Sequence, residues 1–94
     1  MALIVTPKIR EKLGNKTPPV TTYEIMQCFA NLSGNVLLDT RADNQTNPPT
    51  RWFISETDFG RKLKVVYIAD KVNIIIKTAY DPNPDEMRLY NRLG

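Results

Sequence analysis

Two apolar stretches separated by two polar residues constrain this chain more than any other feature. Arg61 to Ala69 reads RKLKVVYIA and Val72 to Tyr80 reads VNIIIKTAY, with Asp70-Lys71 between them. Both are rich in β-branched residues and of strand length, and the gap is that of a tight hairpin. With a two-residue loop, Ala69 opposes Val72, Tyr67 opposes Ile74, Val65 opposes Ile76 and Leu63 opposes Thr78. Opposed residues share a face, so one side of the ribbon is almost wholly apolar and belongs to a core. The other side pairs Ile68 with Asn73, Val66 with Ile75, Lys64 with Lys77 and Lys62 with Ala79. Ile68, Val66 and Ile75 on this second side call for a cover, from the last helix or from another chain.

The flanking segments carry their own signals. Thr6-Pro7 predicts the start of a helix with Ile9 and Leu13 on one face and Gly14 at its C-terminal cap. Thr21-Thr22-Tyr23-Glu24 has capping-box spacing, and Ile25, Cys28, Phe29 and Leu32 then fall on one helical stripe, closed by Gly34. Cys28 on that stripe reads as a core filler rather than a nucleophile. Val36–Thr40 and Arg51–Thr57 read as strands. Asp58-Phe59-Gly60 reads as a turn with Gly60 in the left-handed position, which would set Glu56 opposite Lys62. Asn83-Pro84-Asp85-Glu86 opens a final helix with Met87, Tyr90 and Leu93 facing inward and Arg88 and Arg92 further along. The expected order is α-α-β-β-β-β-α, an α+β domain over residues 1–94. It has two N-terminal helices, a four-stranded antiparallel meander sheet and a C-terminal helix.

Composition narrows the chemistry. The 94 residues include one cysteine and no histidine. Zinc fingers, histidine-based triads and Cys–His dyads are therefore excluded, and no cofactor or metal is expected. No apolar run nears the roughly 18 residues that span a bilayer. The opening Met-Ala-Leu-Ile-Val is too short for a signal peptide, so a cytoplasmic location is expected.

Charge is uneven. The chain nets +3, yet residues 61–80 alone hold five cations (Arg61, Lys62, Lys64, Lys71 and Lys77) against Asp70. Such a local excess points to an anionic partner or to a solvated lysine-rich sheet face. Lys64 opposite Lys77 is normally disfavoured. At an effective dielectric near 20 and a separation of about 6 Å the repulsion is on the order of 2–3 kcal/mol. A carboxylate, with Glu56 the candidate, or an anionic ligand would offset it. In the second case the two lysines depress each other's pKa. Arg41 and Arg51 flank a polar loop. Arg61 and Tyr80 would meet at the far end of the hairpin on the opposite face, where a guanidinium can fork onto phosphate and a ring can stack on a base. Trp52 reads as a core or rim aromatic.

Several strings carry a resemblance. They are the segment Lys8 to Leu13 early in the chain, the capped helix Thr22 to Phe29 ending in Cys-Phe, and the strand Arg51-Trp52-Phe53-Ile54. To these add Gly60-Arg61-Lys62-Leu63-Lys64-Val65-Val66-Tyr67 and the isoleucine-rich strand ending Thr78-Ala79-Tyr80. Together these resemble the BrnT-type toxins of the RelE-like ribonuclease superfamily, found in bacterial type II toxin–antitoxin pairs. The last strand departs from that pattern, with Thr78-Ala79-Tyr80 where a Ser-Ala-Arg-like end is usual. The resemblance implies a RelE-like endoribonuclease that cleaves RNA by attack of the ribose 2′-hydroxyl on phosphate and is neutralised by a cognate antitoxin protein. It would place phosphate stabilisation on Arg61 and Lys64, the base on Lys77, and proton donation or stacking on Tyr80. Lys62, Arg51 and Arg41 would contact RNA. Two alternatives stand beside it: a non-catalytic module of the same fold that binds RNA or an acidic protein, and a homodimer or other homo-oligomer pairing through Val72–Ile76.

Overall fold

The computed structural model describes residues 2–40 and 47–94. The elements run β1 (Ala2–Ile4), α1 (Pro7–Gly14), α2 (Thr22–Ala30), β2 (Leu37–Leu38), β3 (Thr50–Glu56), β4 (Lys62–Ala69), β5 (Asn73–Tyr80) and α3 (Pro84–Leu93). The α+β class holds, but the sheet has five strands in the order β1-β5-β4-β3-β2. The added strand is β1, which pairs in parallel with β5 and makes the sheet mixed rather than an antiparallel meander. Its three apolar residues are too few to show a period, and only the exposed edge of β5 gives them a partner. That edge, at Asn73–Ile75, is the part of the segment that a second copy would otherwise have paired with.

The helix ends follow local chemistry closely. The Thr6 hydroxyl accepts from the Ile9 N–H at 3.3 Å, with Pro7 at the first helical position. Thr21 and Glu24 cap each other reciprocally, as do Asn83 and Glu86. The C-terminal ends differ from expectation. Asn15 rather than Gly14 caps α1, and Asn31 rather than a glycine caps α2, each with a negative φ. Among the described residues the sole positive φ belongs to Gly60, at 84°, in the turn joining β3 to β4. That turn has the three-residue form expected, with Thr57 and Arg61 hydrogen-bonded across it and Glu56 opposite Lys62.

Helices cover both faces of the sheet. On one face Phe29 of α2 meets the rings of Phe53 and Tyr67 edge-on at 4.9 and 5.3 Å. Leu63, Val65, Ile76 and Ala79 are buried there with Ile25 and Cys28. Burial pushes the Cys28 thiol up to about 11, which leaves it protonated and inert at neutral pH. On the other face α3 sets Tyr90 5.7 Å from Trp52, and Val66 is buried beneath it. The cover required by the second side of the ribbon is thus supplied in part by the chain's own last helix. Leu93, expected to face inward with Tyr90 and Met87, is exposed at the end of that helix.

The β4–β5 hairpin has a different register from the one its sequence suggests. The two-residue loop is Lys71-Val72 rather than Asp70-Lys71: the Asp70 N–H donates to the Asn73 carbonyl at 3.0 Å and Ala69 opposes Ile74. The Asp70 carboxylate accepts from the backbone N–H groups of Val72 and Asn73, both at 2.7 Å, which winds the loop on itself. Further along, a bulge opposite Val66 and Tyr67 inserts Lys77 as an extra residue in β5. Beyond the bulge Val66 opposes Thr78, Val65 opposes Ala79 and Lys64 opposes Tyr80. Lys64 and Lys77 therefore do not oppose each other.

Candidate functional site

The register change rearranges every residue assigned a chemical role. Lys64 lies on the α3 face with its side chain 8% exposed, and its Nζ donates to Glu86 Oε2 at 2.7 Å. Tyr80, now across from it, donates its hydroxyl to the same oxygen at 2.5 Å. The Lys64 ammonium also sits 4.5 Å from the centre of the Trp52 ring, a cation–π contact in a mostly dry setting. Glu86 divides its labour between its two oxygens. Oε1 accepts from the Asn83 N–H and completes the helix cap, while Oε2 binds Lys64 and Tyr80. Partial burial raises the Glu86 pKa, but the hydrogen bonds from Lys64, Tyr80 and Asn83 outweigh it and hold the carboxyl below its ordinary value.

Arg61 is engaged as fully. Its guanidinium donates to Asp81, to both oxygens of Glu24, and to the backbone carbonyls of Pro18 and Pro19 at 3.0 and 2.7 Å. This ties the start of β4 to the turn before α2, to the α2 N-terminus and to the segment after β5. Partial burial raises the pKa of Glu24, yet the Thr21 backbone N–H and Arg61 more than reverse that and hold the carboxyl low. A fork with its donors committed to two carboxylates and two carbonyls has little left for a phosphate.

Lys77, by contrast, stands exposed at the bulge. Lys62 and Arg51 are exposed as well, on β4 and β3, and Arg41 lies outside the described residues. Tyr80 is half-buried. It lines a shallow cleft of about 300 Å³ with Arg61, Asp81 and the turn residues Lys16, Thr17, Pro18 and Val20. Lys16 Nζ lies 5.5 Å from its ring centre and Lys64 Nζ 5.7 Å. The structure thus brings Lys64 and Tyr80 together, brings Arg61 and Tyr80 to one cleft, and leaves Lys77 apart from Lys64. Among the described residues no group of three Cys, Asp or Glu could hold a metal ion.

The β1–β5 edge carries cations that the strand pattern does not reveal. Because β1 is an edge strand and α1 follows it and packs on β5, the cations of α1 lie along the same edge of the sheet as β5 and Lys77. The β4–β5 loop is joined to that edge by the Ala2 N–H to Val72 carbonyl bond. Lys8, Arg10, Lys12, Lys16, Lys71 and Lys77 are spread along that edge, on α1, the turn after it, the β4–β5 loop and β5, against Glu11 and Asp70, an excess larger than the +3 of the whole chain. Among the described residues none of these six cations lies within ion-pair distance of a carboxylate. Sequence separation hid this edge, since α1 and Lys77 are some seventy positions apart. As ion-pair partners Glu86, Glu24 and Asp81 were equally hidden, although Glu24 was legible as a capping-box residue and Glu86 as an acidic residue of the first turn of its helix.

Comparison with family models, curated proteins and solved structures returned no match. Among the described residues no helix is long and apolar enough to cross a membrane.

Proposed function

We propose that this chain is a non-catalytic binding module that engages RNA through the cationic β1–α1–β5 edge of its sheet. The observation that carries this reading is the division of the basic residues into two sets. Arg61 and Lys64 are spent on internal carboxylates, where they hold helices and turns to the sheet. Lys8, Arg10, Lys12, Lys71 and Lys77 have no such partner among the described residues. Their placement along one edge builds a positive potential that a polyanion relieves by releasing its own counterions. The cleft lined by Lys16 and Tyr80 lies at the margin of that surface, where a cation and an aromatic ring together suit a nucleotide.

The endoribonuclease implied by the BrnT-type resemblance needs a base and phosphate-stabilising cations gathered around one phosphodiester. The separation of Lys77 from Lys64, and the saturation of Arg61, do not favour that arrangement. The test is titration of a labelled single-stranded RNA followed by anisotropy across a salt series, with the RNA checked for length on a denaturing gel. Intact RNA and binding that weakens steeply with salt support the module. For a triple variant Lys8→Gln, Lys12→Gln and Lys77→Gln, the log–log salt slope should fall by about 0.7 for each phosphate no longer neutralised. Absence of binding, or a slope unchanged in the triple variant, overturns the reading. Cleavage of the RNA returns the nuclease.

A further inference from the structure

A second recess lies on the α3 face of the sheet, at the β3–β4 end and thus away from the cationic edge. It encloses about 350 Å³, within the usual size range for a small-molecule site. Ile54, Met87 and Tyr90 form its apolar walls, and Glu56, Lys62 and Asn91 stand at its polar margin. Glu56 and Lys62 are directly opposed across neighbouring strands, which places their Cβ atoms about 5 Å apart on one face. Side chains so placed ordinarily close into an ion pair. Here no ion pair or hydrogen bond joins them, and the Asn91 amide is without a partner among the described residues. Asn31 is not available in the same way, because its amide already donates to the Glu56 carbonyl and to Asp58.

We infer that this recess binds a small zwitterion of the free α-amino acid class, with an apolar side chain of about leucine size. The Glu56 carboxylate would take the ammonium group and the Lys62 ammonium the carboxylate, with the Asn91 amide free to bond either. The two charged ends of an α-amino acid are separated by one carbon, so a carboxylate and an ammonium presented from adjacent strands can grip both at once. The aliphatic side chain would lie on Ile54, Met87 and Tyr90. A simple anion or cation satisfies half of this margin and leaves the other charge facing it unpaired, which is the basis for selecting a zwitterion. The inference does not depend on RNA binding, which uses other residues.

The experiment is backbone amide NMR of the full chain titrated with L-leucine, N-acetyl-L-leucine and L-leucine methyl ester. Leucine should give saturable shifts confined to residues 54–57, Lys62 and 87–91. Each analogue, lacking one charge, should bind at least about tenfold more weakly, as should leucine to Glu56→Gln and to Lys62→Gln. Both substitutions are at exposed positions, and an otherwise unchanged spectrum confirms that the fold is kept. Failure of leucine to shift these amides saturably at millimolar concentration overturns the inference. So does equal binding of the three compounds, or unchanged binding to the two variants. Lys77→Gln, which should weaken RNA binding, should leave the leucine titration as it was.

Discussion

Lys64 Nζ lies 2.7 Å from Glu86 Oε2, an oxygen that also accepts the Tyr80 hydroxyl, so one carboxylate joins β4, β5 and α3. The side chains of the pair are 8% and 18% exposed, which makes its two halves unequal to remove. Glu86→Ala strands a nearly buried ammonium and also removes half of the α3 capping box. Its expected cost is about 2–4 kcal/mol, read as a drop in the urea midpoint. The double replacement Lys64→Met with Glu86→Leu leaves no charge stranded and should recover most of that loss. A double variant as unstable as Glu86→Ala would mean that the ion pair itself, rather than the uncompensated charge, carries the stability.

Acid should loosen the same joint. Glu86 and Glu24 both have folded-state pKa values below the ordinary carboxylate value. A depressed carboxylate contributes stability that is fully present above its unfolded value, about 4.3, and is lost as pH falls through the folded value. Stability should therefore be flat with respect to these groups above about pH 5 and decline below about pH 4. Glu86→Gln should flatten that decline. Denaturant midpoints measured from pH 7 to pH 2 decide it, and a decline with the same slope in Glu86→Gln would exclude Glu86 as a source.

Arg61 serves through the shape of its fork. Two carboxylates and two proline carbonyls are held by one planar group. Arg61→Lys keeps the charge but cannot reach all four, and should cost about 1–3 kcal/mol in chemical denaturation. A loss no larger than a few tenths would show that the charge alone matters.

Gly60 is needed for its backbone angle and not for space. Its φ is 84°, and a Cβ placed there would meet nothing within 4 Å. Gly60→Ala should thus destabilise by about 1 kcal/mol through conformational strain, without disturbing side-chain packing. Thermal unfolding measures the loss, and a neutral substitution would mean that the turn relaxes to another form.

Lys77 is exposed at a bulge and has no ion-pair partner among the described residues, so Lys77→Gln should leave stability within about 0.5 kcal/mol of the parent. Its effect should be confined to RNA affinity and to the salt slope. A large loss of stability would place Lys77 in the fold instead.

The signals read along the chain were local, and where a structural decision was local they served well. Thr6, Thr21 and Asn83 stand at helix N-termini because a side-chain oxygen there satisfies N–H groups that the helix itself cannot. Gly60 turns the β3–β4 connection, and the opposition of Glu56 and Lys62 follows from its three-residue loop. Tyr67, Val65 and Leu63 face the core because a strand alternates and only one set of its residues is apolar throughout.

The β4–β5 pairing escaped the same reading for a definite reason. Asp70 can either sit inside a two-residue turn or fold its carboxylate onto the N–H groups of Val72 and Asn73, and residues 61–80 alone do not choose between these. The bulge at Lys77 then moves Tyr80 opposite Lys64, an arrangement stabilised by Glu86 from a helix that comes later in the chain. Strand β1 had no signal of its own, because three apolar residues become a strand only against an edge that accepts them. Amino-acid order by itself determined the α+β class, the helix N-caps, the Gly60 turn and most of the core. The β4–β5 register, the charge partners and the cationic edge were decided by tertiary structure, because each depends on groups far apart in sequence competing for the same hydrogen bonds and the same buried space.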